Sequence, residues 1–276
     1  MKEKKILLWI RKKLKTAPVL GSTILLLSIL FVLFLLDSND RSNIISNLIS
    51  GTSTEIIGAI ITLWVVQLLF DKHKTSLEEK EERKKILNLD KILSIFIRQY
   101  EILLYITIND YGKDREKLSK YSLCEDFDIT QLQYAHNECL LLNKAFYCSN
   151  IHYFLKTELE LQKIIISSLQ NIDFRYHNEI YKRLYGYVET SIAYDIRDAI
   201  KQNDEIIKKE RAQKSHNHLN NIKNLITNHI KNYNPQKQPS NLMYSYFLLY
   251  EMINIEKKYL CEYHTLVESL KNKENP

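Results

Sequence analysis

Two groups of residues combine types and spacings that could do chemistry. His136-x2-Cys139 and Cys148-x3-His152 each set a Cys and a His about one helical turn apart, and two such half-sites could supply four tetrahedral ligands to zinc. The eight-residue gap between the two cysteines is not a standard zinc spacing, however. Both pairs also lie among apolar residues, where thiols pack as small hydrophobes, so packing is the expectation and no metal is assigned. The second group is Arg211-Ala212-Gln213-Lys214-Ser215-His216, an R-x4-H pattern. It sits in a stretch, 201–237, with eight basic residues against Asp204, Glu205 and Glu210. That stretch is the best local candidate for touching phosphates, but it reads more readily as the solvated face of helices packed through Ile206, Leu219, Ile222 and Ile226.

The R-x4-H pattern is similar to the catalytic motif of HEPN ribonucleases. The resemblance implies a transition-state stabiliser at Arg211 and a proton-transfer partner at His216, usually assembled across a dimer. Ala212 departs from the polar residue that usually follows the arginine in that family. Nine Arg and eight His in 276 residues also make a chance match common. Other enzyme classes lack their signatures. With glycines only at 21, 51, 58, 112 and 186, neither a GxxxxGK[ST] loop nor a GxGxxG turn exists, and HExxH and GxSxG are absent. The expectation is a non-enzymatic protein with no cofactor and no small-molecule substrate.

The elements that would position these residues begin with a membrane module. The net charge of +6 is carried by the leader, 1–16, where seven basic residues face only Glu3; the rest of the chain has 32 basic and 32 acidic residues. Basic charge placed directly before an apolar run suits anionic lipid head groups better than a nucleic-acid surface. The leader also sets Ile6, Leu7, Ile10 and Leu14 on one helical face, as an interfacial helix would. A first span is expected over about 17–36, which at 1.5 Å per residue reaches about 30 Å. Its fourteen large apolar residues favour insertion by about 5 kcal/mol. A second is expected over 51–70. The loop between them carries only Arg41 as a basic residue, whereas lysines flank the outer ends of the pair, so both termini are expected in the cytoplasm of a two-pass inner-membrane protein.

Ser50, Thr54, Gly58 and Thr62 recur every four residues and form a row of small side chains suited to helix association, with the first span or between copies. Glu55 and Gln67 are the polar groups near the ends of this span, able to reach water or line a water-filled gap.

From 71 to 276 the chain reads as a cytoplasmic helical domain. Ile86, Leu89, Leu93, Phe96, Tyr100, Leu103 and Thr107 alternate by three and four, predicting a coiled-coil-like stalk continuous with the second span. Further stripes are expected at Tyr185, Val188, Ile192, Ile196, Ala199, Asn203 and Ile206, at Leu219 to Tyr233, and at Leu242 to Leu270. Helices are also expected over Leu132 to Tyr147 and Tyr153 to Ile172. Five glycines and four prolines scarcely support strands with tight turns. The fold class is therefore all-α: a two-helix transmembrane hairpin followed by a helical bundle. Cys124, Cys139, Cys148 and Cys261 have no framework spacing and fall in the segment placed in the cytoplasm, so they are expected as buried thiols.

A basic leader, a tight two-helix hairpin, a helical cytoplasmic domain without enzymatic motifs and an Ile-, Lys- and Asn-rich composition together resemble the two-transmembrane effectors of bacterial retrons, an anti-phage defence. The resemblance is architectural and covers the whole chain. It implies a protein held inactive by a reverse transcriptase with its RNA-linked DNA, which on release permeabilises the inner membrane and causes abortive infection. Two spans cannot enclose a pore alone, so the active state is expected to be a homo-oligomer in the lipid bilayer.

Overall fold

The computed structural model describes residues 23–24, 26–29, 31–32, 43–111, 115–139, 148–212, 221–234, 236 and 240–272; within these, the side chains of 43–50, 53, 211–212, 221 and 241 lie outside the description. The fold is all-α. The described residues between 23 and 32 are helical, and they are followed by α1 (Asn43–Ile108), α2 (Asn150–Asn171), α3 (Asn178–Ala193), α4 (Arg197–Ala212), α5 (Asn221–Lys231) and α6 (Asn241–Asn272). Two 3-10 helices, Arg115–Ser119 and Ile129–Tyr134, lie between α1 and α2. Among the described residues there is no strand, only an isolated antiparallel bridge between Glu138 and Ser149. The chain divides into two compact units, Met1–Lys80 and Glu81–Pro276.

α1 runs for 66 residues. The chain places neither proline nor glycine between Gly58 and its end, so nothing interrupts the hydrogen-bond ladder. Within the second unit its predicted seam is the buried face: Ile86, Leu89, Leu93, Tyr100 and Thr107 are buried, and Phe96 and Leu103 pack partly exposed against the same core. α6 returns across the core through Tyr246, Leu249, Ile253, Leu260, Tyr263 and Val267, as its stripe predicts. α3 and α6 approach closely at Gly186, where a Cβ would fall 2.5 Å from the Tyr259 ring. Any larger residue there would have to displace that ring.

Local signals set several boundaries. Ser149 is the N-cap of α2, accepting from the His152 amide at 3.3 Å. Asp128 and Gln131 form a capping box around the second 3-10 helix.

Three expectations are corrected. The helix expected over Leu132 to Tyr147 is, in its described part, the end of a 3-10 helix followed by a turn and the Glu138–Ser149 bridge. The stripe expected from Tyr185 to Ile206 does not form one buried face: the chain breaks between Ala193 and Arg197, and Tyr185, Ile192 and Ile206 are exposed while Leu184, Tyr187, Ile200 and Ile207 fill the core. The break is fixed by Arg197, whose guanidinium turns inward onto Glu158. Last, Cys124 and Cys261 are joined in a disulfide, with Cα atoms 5.9 Å apart, while Cys139 and Cys148 form no disulfide. The spacing argument failed here because the chain folds back over a separation of 137 positions to place the loop after α1 against α6.

Candidate functional site

In the first unit, α1 carries the one segment among the described residues that is long and apolar enough to cross a membrane, and none of that segment is buried within the protein. Ile57, Ile61, Trp64, Val65, Val66, Leu68, Leu69 and Phe70 are all exposed. Successive residues point 100° apart, so these exposed side chains cover about two thirds of the circumference, and half-buried Ile56 and Ile60 keep the remaining side apolar. A helix that is hydrophobic all round needs an apolar surrounding. Each such side chain left in water forgoes about 1.5–3 kcal/mol.

The polar groups of this segment are satisfied locally. The Thr62 hydroxyl donates to the Gly58 carbonyl at 2.9 Å, and Gln67 Nε2 donates to Asp71 Oδ1 at 2.8 Å. Trp64 Nε1 donates to the hydroxyl of Thr23 at 3.1 Å, and Thr23 is buried. Thr54, Gly58 and Thr62 are exposed, and a Cβ added at Gly58 would meet nothing within 4 Å. By helical rotation the row they form lies about 180° from half-buried Ile56, Ile60 and Gln67. Glu55 is exposed. Ser50 lies in α1 but its side chain is outside the described residues, as is most of the first expected span.

The other expected sites fare differently. Arg211 falls in the last turn of α4 with its side chain undescribed, and His216 lies outside the described residues, so the R-x4-H pair has no geometry to weigh. The Cys/His half-sites come together in the backbone, the Cys139 amide donating to the Cys148 carbonyl at 2.9 Å. The imidazole of His136, however, is engaged at both nitrogens by Asp204 and Tyr246. Among the described residues no group of three or more His, Cys, Asp or Glu is arranged to hold a metal ion.

Three buried polar centres in the second unit were not anticipated. At the first, the Arg197 guanidinium donates Nε to Glu158 Oε2 at 2.8 Å and Nη2 to Glu158 Oε1 at 2.7 Å, with further bonds to Ser191 and Asp195. Beside it, the Tyr100 hydroxyl donates to Glu256 Oε2 at 2.8 Å, and the Glu256 carboxyl lies against that of Glu158. Burial, and after it the Glu158 carboxylate, raises the Glu256 pKa well above the carboxylate range. Glu256 therefore keeps its proton to higher pH than a free glutamate does. Arg197 is held charged: desolvation works against the ion, but Glu158 outweighs it and the pKa rises.

At the second centre, His136 Nδ1 lies 3.2 Å from Asp204 Oδ1 and its Nε2 lies 2.6 Å from the Tyr246 hydroxyl. For Asp204, desolvation would raise the pKa, but hydrogen bonds from His136 and Ser149 outweigh it and the carboxylate stays ionised. The order hydroxyl, imidazole, carboxylate is that of a nucleophile relay. With Tyr246 fully buried, however, no substrate reaches the hydroxyl. The network ties the loop before α2 to α4 and α6. The third centre is Glu82 on α1, whose carboxylate accepts from the Tyr176 and His177 amides and from His177 Nδ1, at 2.9–3.1 Å. The one sequence signal for these centres is a polar side chain inside an apolar helical stripe, as with Glu158 between Leu155 and Leu161.

Fold and site together define an all-α protein with one exposed membrane-length apolar helix and a separate helical unit whose polar core is closed. No family model matches the sequence, and neither a curated protein nor a solved structure shows significant similarity to it.

Proposed function

We propose that the chain is a two-pass inner-membrane protein with both termini in the cytoplasm, and that it acts as a membrane-permeabilising effector rather than an enzyme. The observation that carries this reading is the exposed apolar circumference of α1 from Ile57 to Phe70. The Thr23–Trp64 hydrogen bond supports a hairpin, since it ties the helical residues near 23 to the middle of this segment. α1 would then continue out of the bilayer as the stalk. The row Ser50, Thr54, Gly58 and Thr62 would face a neighbouring copy, since among the described residues nothing lies within 4 Å of a Cβ added at Gly58. Glu55, exposed beside that row, would line the water-filled gap of the oligomer, while Gln67 lies on the opposite face of α1 and donates to Asp71.

On the resemblance to retron effectors, the restraint comes from a reverse transcriptase with its RNA-linked DNA. Loss of that restraint during infection would trigger permeabilisation and abortive infection. The test is induced expression of the full chain, with and without such neighbours, while uptake of a membrane-impermeant dye is recorded. Dye entry that is suppressed by co-expression is the expected result. Toxicity without dye entry, abolished by His216→Ala, would transfer the function to a ribonuclease. Neither toxicity nor dye entry would leave a membrane scaffold.

A further inference from the structure

We propose that Cys124 and Cys261 form a reversible dithiol–disulfide site that exchanges with a low-molecular-weight peptide disulfide of the oxidised glutathione kind. The proposal rests on the cytoplasmic placement of the second unit given above. In such a reducing compartment a disulfide that persists is uncommon, and those that form are chiefly transient or redox-sensing.

The two cysteines are brought together by contacts that do not involve their sulfurs. Tyr121, Leu123 and Phe127 are buried and pin the loop on either side of Cys124. The Leu123 amide donates to Glu101 Oε1 at 3.0 Å, and Lys257, one turn before Cys261, donates Nζ to the Glu125 carbonyl. The reduced pair is thus held in place without the bond, at a Cα separation of 5.9 Å that lies in the middle of the disulfide range. Oxidation requires no rearrangement of the core.

The pair is also reachable. Cys124 is exposed and Cys261 half-buried. Together they form the wall shared by two clefts, one of about 260 Å³ and one of about 640 Å³. The larger is lined by Asp126, Lys258 and Glu262 beside Phe127 and Tyr250, a mixed-charge surface suited to a zwitterionic peptide. Cys139, by contrast, is buried.

The exchange balances in two steps. The Cys124 thiol loses its proton and the thiolate attacks one sulfur of R–S–S–R; that bond breaks, and the departing thiolate takes up a proton to become R–SH. The Cys261 thiol then loses its proton and attacks the Cys124 sulfur, expelling the second R–SH. The protein gives up two electrons and two protons, and the peptide disulfide is reduced to two thiols. Excess thiol runs both steps backward.

The test uses full-length protein in detergent micelles, equilibrated across ratios of reduced to oxidised glutathione. It is then quenched, denatured and labelled with a polyethylene-glycol maleimide, with intact masses recorded in parallel. The expected result is a single transition from four adducts to two, giving a species two hydrogens lighter and reversed by excess thiol. The Cys139→Ser/Cys148→Ser variant should pass from two adducts to none. Cys124→Ser and Cys261→Ser, checked for unchanged helical circular dichroism, should yield no species two hydrogens lighter. The proposal is overturned if the pair stays reduced at every ratio, if it stays oxidised in excess thiol, or if glutathione remains attached to Cys124. A reporter fused behind Pro276 that is active only in the periplasm would instead overturn the cytoplasmic placement, whatever the exchange does.

Discussion

The indole N–H of Trp64 donates to the hydroxyl of Thr23 across 41 positions of sequence, and Thr23 is only 7% exposed. A polar contact of this kind in hydrocarbon is worth about 0.6 kcal/mol, so Trp64→Phe should loosen the helix pair without preventing insertion. In a variant whose native cysteines are serine, Thr23→Cys with Trp64→Cys should be joined by a short bis-maleimide within one chain, seen as a mobility change without dimer on a denaturing gel. Crosslinked dimers in place of that product would mean the contact belongs between chains.

Gly58→Leu separates helix association from folding. Among the described residues nothing lies within 4 Å of a Cβ added there, so membrane insertion and the helical signal should be unchanged. Dye entry on expression should fall to the uninduced level, and sedimentation in detergent should shift to the monomer. Unaltered dye entry would remove the small-residue row from the mechanism.

Arg197→Leu should be among the most damaging single changes. It leaves the Glu158 carboxylate enclosed without its bidentate partner, a defect that costs about 3–5 kcal/mol. Thermal melting of the full-length protein by circular dichroism should show the loss. The double change Arg197→Leu/Glu158→Leu should recover much of it, since no charge is then stranded.

Glu256 sets a pH dependence whose sign follows from its raised pKa. The folded state holds a proton that the unfolded chain releases near 4.5, so stability falls as pH rises from there through the raised folded value. Glu256→Gln keeps an acceptor for the Tyr100 hydroxyl and cannot ionise. Its melting temperature should be flat over that window and exceed that of the wild type at the alkaline end. A wild-type profile that rises with pH there would contradict a protonated Glu256.

Glu82 supplies the N-terminal cap of α3 from another helix. His177, at the N-cap position, makes no side-chain cap of its own. Glu82→Ala should therefore cost about 1–2 kcal/mol, the value of a lost cap, read as a lower melting temperature. His177→Ala should cost less, because the two backbone amides keep their acceptor.

Much of the architecture was legible in the chain. The α1 seam and the α6 stripe appear as three-four patterns because one side of each helix meets the core along its whole length. The helix expected over Tyr153 to Ile172 is α2, begun three residues earlier at Asn150. The stripe through Tyr185 and Ile192 misled because Tyr and Ile are tolerated at an exposed surface, and periodicity does not say which of two apolar faces is buried. Among the site residues, Thr54, Gly58 and Thr62 share a face as expected, since that follows from spacing alone.

Sequence by itself determined that the chain is helical, where its apolar membrane-length run lies and which residues share each face, because these depend on neighbours within a few turns. Only the tertiary structure decided that Glu82 caps α3, that Arg197 closes on Glu158, that Gly186 makes room for Tyr259 and that Cys124 meets Cys261. Each of these joins residues from different elements, brought together by how the helices cross rather than by any local preference. A buried polar group is tolerated only where such a distant partner satisfies it.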